Sequence, residues 1–232
     1  MPDDALPFSS WPTWMKDQHR TFMEQLVDQP ANSAWIGVAS VDNILGRNGT
    51  RTLRRDGQVA LLGDDPENEV FVWKPEKTSW APELWISPTR RDYRSVYARF
   101  IEGYWPGSNI DDAPHHVDHL FPKEPAVLGG LSHVRLLAIP KRSNVSAGTF
   151  EKQMTAKNHS QGPRTKQTRM ATLYSLAKAM GYVGYAGLKT LEGRRRIAAA
   201  LMQALREAGA PKEIVESRYD EALLVEVLDC LR

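Results

Sequence analysis

The segment DDAPHHVDHLFPKEP, residues 111–125, holds the densest set of chemically able side chains in the chain. It offers Asp111, Asp112, His115, His116, Asp118 and His119, and His133 and Asn144 follow. Carboxylate, imidazole and amide oxygen together bind divalent cations. A mixed oxygen and nitrogen set suits Mg or Mn better than a structural zinc. Imidazole also titrates near neutrality, which suits a general base. Proline disfavours helix at the residue before it, so Pro114 and Pro122 place Asp118 and His119 on a short extended or looped segment. His115 and His116 are adjacent; in extended chain they point opposite ways, and at most one easily joins a site.

The stretch VDHLFPK…LSHVRLLAIPKRSNVSAG resembles the HNH, or ββα-metal, nuclease family over about residues 117–152. That family ends a first strand with an Asp-His or His-His pair, often with proline two or three residues on. A second hairpin strand opens on a middle Asn, and a helix then supplies a third His or Asn. Here the pair is Asp118-His119, with Pro122 three residues after the His; His133 opens VRLLAI, and Asn144 heads the third element. The resemblance implies His119 as the base that activates water and Asp118 and Asn144 as ligands of Mg or Mn. It puts His133 in the orienting position, and it implies a metal-dependent endonuclease that hydrolyses DNA phosphodiester bonds. The chain departs from the pattern in having His133 for the middle Asn, eleven residues from His133 to Asn144, and Gly148 four residues into the helix expected after Asn144.

Charge supports the same substrate class. Overall the chain is near neutral, at +2 with His neutral, but Arg135 through Arg169 carries eight Lys/Arg and one acid, Glu151. Such a run suits a polyanion, DNA foremost and RNA by the same chemistry. Arg135, Lys141, Arg142, Lys152, Arg164 and Lys166 are the expected phosphate contacts. A solvated surface balanced by the acidic segment 207–232 explains the run equally well on charge alone. A non-catalytic nucleic-acid-binding protein, or a regulatory or inhibitory one of the kind mobile elements carry, is therefore the alternative.

The elements that must position these residues follow from periodicity. Trp14, Met15, Phe22, Met23, Leu26 and Val27 recur at helical spacing and Pro30 stops them, which predicts a helix over about 14–28. SAWIGVAS, DGQVALLG, NEVFVWKPE and ELWISP predict four strands over 34–88, with prolines that favour edges and loops. Tyr93, Val96, Tyr97, Phe100 and Ile101 predict a helix over 90–104. Residues 105–163 read as loop-rich, with LSHVRLLAIP a strand. From Thr165 onward the pattern is helical, broken at Gly181 and Gly184 and again at Gly209 and Pro211. The segment LGRNGTRTLRRDG, 45–57, reads as an exposed basic turn.

At 232 residues with 41% apolar and 25% charged side chains, the composition is globular, and global disorder is excluded. The one cysteine, Cys230, excludes a disulfide within the chain and a Cys-based zinc site. No P-loop and no GxSxG elbow occurs. Neither a secretory signal nor an apolar run of membrane-spanning length is present, so a cytoplasmic, non-membrane protein is expected. The sequence thus predicts an α+β protein. An N-terminal antiparallel β region lies in 1–104, an irregular His-rich centre with a ββα-metal unit in 105–163, and a C-terminal helical bundle in 164–232. The apolar final helices are expected to serve a homodimer or a protein partner.

Overall fold

The computed structural model describes residues 10–27, 34–45, 56–148, 151–152, 168–171, 173–183, 190–193, 195–196 and 199. The basic turn at 46–55, Arg164, Lys166, the breaks at Gly184, Gly209 and Pro211, Cys230 and the helices expected beyond 200 lie outside the described residues.

Pro12 sets the first turn of helix α1, Thr13–Val27, and its carbonyl accepts from the Met15 and Lys16 amides. The apolar stripe of α1 buries Trp14, Met15, Phe22 and Met23, as the spacing requires. Strand β1 is Trp35–Val38, helix α2 Val41–Leu45, β2 Gly57–Ala60, β3 Val70–Pro75 and β4 Glu83–Ile86. Helix α3, Tyr93–Tyr104, turns Val96, Tyr97, Phe100 and Ile101 inward. Strand β5, His115–His119, is followed by the short helix α4, Lys123–Leu128, and by β6, His133–Pro140. Helix α5 covers 141–148, and Glu151 and Lys152 are again helical. Strand β7, Thr168–Met170, and helix α6, Leu173–Ala179, follow.

Every described strand pair is antiparallel. The sheet runs β2-β3-β4-β6-β1-β7, with β5 paired to β6 off that path. Strand β6 is therefore shared. Its first residues pair with β1 (Val38 with His133, Gly37 with Val134) and β4 (Ile86 with Val134, Trp85 with Arg135), and Leu136 to Pro140 pair with β5. The sheet thus crosses the boundary expected at 104/105, and the β region is not N-terminal alone. TRM at 168–170 was expected to start a helix; it is strand β7, paired to β1, because an open edge of backbone groups there accepts it.

The central strands are buried on both faces, which explains why VFVW and VRLLAI read as continuous apolar runs rather than alternating ones. Val70 and Val72 of β3, Leu84 and Ile86 of β4, and Val134, Leu136 and Ala138 of β6 pack with α3 and Trp14. Phe71, Trp73 and Trp85 pack on the other side with Trp35, Val38 and Ile44. Leu137 and Ile139 of β6 meet Phe22, Ile36 and α6.

Arg135 corrects one expectation outright. It is 2% exposed, so it cannot reach a phosphate. Its guanidinium donates to Gln25 Oε1 at 2.6 Å, lies 3.4 Å from the Glu83 carboxylate and stacks over Phe22. Gln25 in turn donates to Glu83, which also accepts from the Trp85 indole at 3.0 Å. Because β6 is covered on both faces, a charge at either parity is buried, and here a carboxylate and an amide answer it. Arg135→Ala takes from the buried Glu83 carboxylate the guanidinium 3.4 Å away. It is expected to cost about 3–5 kcal/mol in urea denaturation, while Arg135→Met with Glu83→Gln restores most of that loss.

Candidate functional site

The hairpin β5–β6 and the helix that follows it carry the residues singled out in the sequence. Strand pairing extends the backbone of His115 to His119; of the extended or looped forms the flanking prolines allow, it takes the extended one, in a region that periodicity read as loop-rich. Burial alternates along β5, with His115, Val117 and His119 buried and His116 and Asp118 half-buried. The buried set faces the main core beneath α3. His116 and Asp118 face α5 and α6. Asn144 of α5 meets His116, and Glu151, after the described end of α5, meets Lys178 on the same side of the hairpin. The helix starts at 141, before Asn144 rather than at it.

Asp118 is held at two points, one on each oxygen. One oxygen accepts from the His119 amide at 2.8 Å and lies 3.9 Å from His119 Nδ1. The other accepts from the Lys178 ammonium of α6. The same ammonium donates to Glu151 Oε1 at 2.5 Å, and Tyr174, one turn earlier in α6, donates its hydroxyl to that oxygen at 2.6 Å. Lys178 is 1% exposed at its side chain, and the two carboxylates are 23% exposed. Burial disfavours the ammonium, but Asp118 and Glu151 outweigh burial and hold its pKa above the ordinary lysine value.

The end of α6 is fixed to suit. Gly181, at φ +82°, takes the left-handed position of a Schellman cap, with Gly181 N–H on the Lys178 carbonyl and Tyr182 N–H on the Ala177 carbonyl. Ser143 of α5 donates to the same Lys178 carbonyl at 2.9 Å, which binds α5 to α6 directly beside the ion cluster.

His119 is 2% exposed, and neither ring nitrogen has a hydrogen-bond partner among the described residues. Tyr93 meets its ring edge-on at 5.0 Å, and Lys123 sits 4.0 Å over the Tyr93 ring. Arg90 bridges Asp65 and Asp92 at 2.7 Å each, which secures the start of α3 and so the place of Tyr93. Burial pushes the His119 pKa down to about 3; Asp118 opposes this, and Lys123 and Lys178 add to it. The ring is therefore neutral at physiological pH, with lone-pair capacity to spare.

The other expected site residues fall as follows. Asn144 donates its amide to His116 Nδ1 at 3.1 Å, so its recorded partner is His116 and not Asp118. His133 was expected to orient His119. Instead it is 1% exposed, pairs through Nδ1 with Ser132 Oγ at 2.8 Å and through Nε2 with the Glu67 carbonyl at 3.1 Å, and packs against Phe71. It lies three residues before Leu136, the partner of His119, in the part of β6 committed to β1, so its hydrogen bonds are spent in the sheet. Lys141 and Arg142 are exposed on α5, and Lys152 is exposed beyond its described end. Lys178, Glu151, Tyr93 and Lys123 were missed. Glu151 carried a signal, as the one acid in the basic run, and Lys178 another, as the one charge in the apolar turn LYSLAKA.

Among the described residues no three His, Cys, Asp or Glu side chains converge to hold a metal ion. Two carboxylates do converge on one cation, the Lys178 ammonium, while His119, on the other face of β5, comes within 3.9 Å of Asp118 alone. No described helix is long and apolar enough to cross a membrane. In comparison with known proteins, the chain matches no family model, no curated protein and no solved structure.

His19, like His119 and His133, is buried and neutral; burial lowers these pKa values to about 3, about 3 and about 4. The unfolded chain protonates each near its ordinary 6.5, while the native state does not. Stability is thus full above that value and falls as pH drops toward the folded values, by about 1.4 kcal/mol per pH unit per histidine. The urea midpoint is expected to drop steadily between pH 7 and pH 5, with His119→Leu removing one proton from the slope. A midpoint that stays flat over this interval contradicts the burial of these rings.

Proposed function

We propose that the β5–β6–α5 unit is an HNH-like centre and that the protein is a divalent-metal-dependent endonuclease acting on DNA. What carries this reading is the order of parts. A strand ends in Asp118-His119, its antiparallel partner follows, and the chain passes straight into a helix whose Asn144 faces the same side of the hairpin as Asp118. Asp118 and Glu151, which now share the Lys178 ammonium, are the residues that would hold the ion. A bound cation of this kind neutralises charge that grows on the phosphate and its leaving oxygen.

The chain's own residues supply the rest. A general base must be unprotonated before it acts, and burial keeps His119 so. The Tyr93 ring covers His119, so access for water requires that ring to move aside; solvation then returns the imidazole toward its ordinary basicity. Lys141 and Arg142, exposed at the start of α5, would contact neighbouring phosphates and so position the strand without reading its sequence.

A second reading, non-catalytic nucleic-acid or partner binding on the same scaffold, is favoured by one observation: Lys178 already neutralises Asp118 and Glu151. Nicking of supercoiled plasmid in Mg or Mn, run beside salt-dependent DNA retention, separates the two. On the endonuclease reading His119→Ala lowers nicking by about a hundredfold or more and leaves retention intact. Lys141→Ala with Arg142→Ala weakens retention and makes it less steep in salt. Retention without nicking under either ion gives the second reading, and the loss of both activities rejects both.

A further inference from the structure

Helix α5 turns Ser143 and Ala147 inward and leaves Lys141, Arg142 and Val145 outward, with Val145 67% exposed; Lys152, beyond its described end, is exposed as well. Other surface cations are answered by acids, Arg94 by Asp111 and Arg99 by Asp65. No acid among the described residues pairs with Lys141 or Lys152. A phosphate backbone answers these cations but not the valine set among them. A ligand that carries both carboxylates and apolar side chains answers both.

The chain itself holds such a segment. Residues 207–232 carry seven acids and three bases, and the acids are interleaved with Ile214, Val215, Leu223, Leu224, Val227 and Leu228. The route to α5 is short. Gly181, in the cap that ends α6, lies against Pro140, the residue before Lys141, and Ser143 binds the Lys178 carbonyl at 2.9 Å. The chain therefore leaves α6 beside the start of α5, and the roughly 25 residues from Tyr182 to Glu207 are ample tether for a helix of this length.

We propose that the acidic segment 207–232 docks on the outward face of α5, its carboxylates on Lys141, Arg142 and Lys152 and its apolar residues over Val145. Tethering gives an effective concentration in about the millimolar range, which holds a contact that is weak and screened by salt. The segment then occupies the cations that the endonuclease reading gives to phosphate, and a polyanion must displace it. That consequence rests on the reading above; the contact itself does not.

The test is zero-length carbodiimide cross-linking of the full chain at low salt, without nucleic acid, on an equal mixture of isotope-labelled and unlabelled protein. Mass spectrometry of tryptic peptides is expected to find Lys141 and Lys152 joined to acids of 207–232 within one chain. The yields fall at least about threefold in about 0.5 M salt. Val145→Asp, at an exposed position and with its fold checked by circular dichroism, lowers the same yields by repulsion. In DNA retention, Glu213→Gln, Glu216→Gln, Asp220→Asn and Glu221→Gln together tighten binding about fivefold, and the gain is absent when Lys141→Ala and Arg142→Ala are added. The proposal is overturned if no such cross-links form, if they join labelled to unlabelled chains, if Val145→Asp leaves their yield unchanged, or if the retention gain survives without Lys141 and Arg142. Cross-links within one chain that retains no DNA support the contact and reject the nucleic-acid reading instead.

Discussion

Backbone pairing along β6 is the constraint on which this molecule depends. One strand serves β1 and β4 with its first residues and β5 with the remainder, so the position of every other strand is fixed relative to it. Its side chains are then buried on both faces, and a strand in that situation tolerates a charge only when the interior answers it. Arg135 is answered by Gln25 and Glu83, from α1 and β4. The polar group that looks most misplaced in the apolar run is thus the one that ties the first helix to the sheet.

The same strand delivers the candidate site. Because β5 hangs on the far part of β6, Asp118 is brought to the side where α5 leaves the sheet and α6 returns to it. Three elements that are distant in sequence meet on one ammonium there. Their convergence is steadied by the cap at Gly181 and by the Ser143 hydroxyl on the Lys178 carbonyl, neither of which is charged. Rigidity of this kind suits a site that must hold like charges close together, since the cost of their repulsion falls on the fold and not on a bound ion.

Histidine content proved a poor guide to histidine function. The chain's His-rich centre reads as a ligand cluster, yet His133 is tied into the sheet and His116 holds Asn144. His19, well outside that centre, lies on the Ala138 carbonyl as another structural ring. What distinguishes His119 is the absence of any such bond among the described residues together with a neighbouring carboxylate. Partnership in space, rather than density in sequence, separates the rings that build from the one ring left without a bond among the described residues.

By itself the sequence determined those features whose causes are local. Apolar spacing placed α1 and α3, two prolines bounded β5, continuous apolar runs marked β3 and β6, and Gly181 marked the end of α6; each of these follows from dihedral preference or from the period of burial. Tertiary structure alone decided the remainder. TRM became a strand because β1 had an open edge, Arg135 went inward because the register of β6 left it no outward face, and Lys178 found Asp118 and Glu151 because α6 packs over the hairpin. A residue's type and spacing state which partners it can satisfy, but which partner it meets is fixed by contacts between segments far apart in the chain, and no local pattern encodes those.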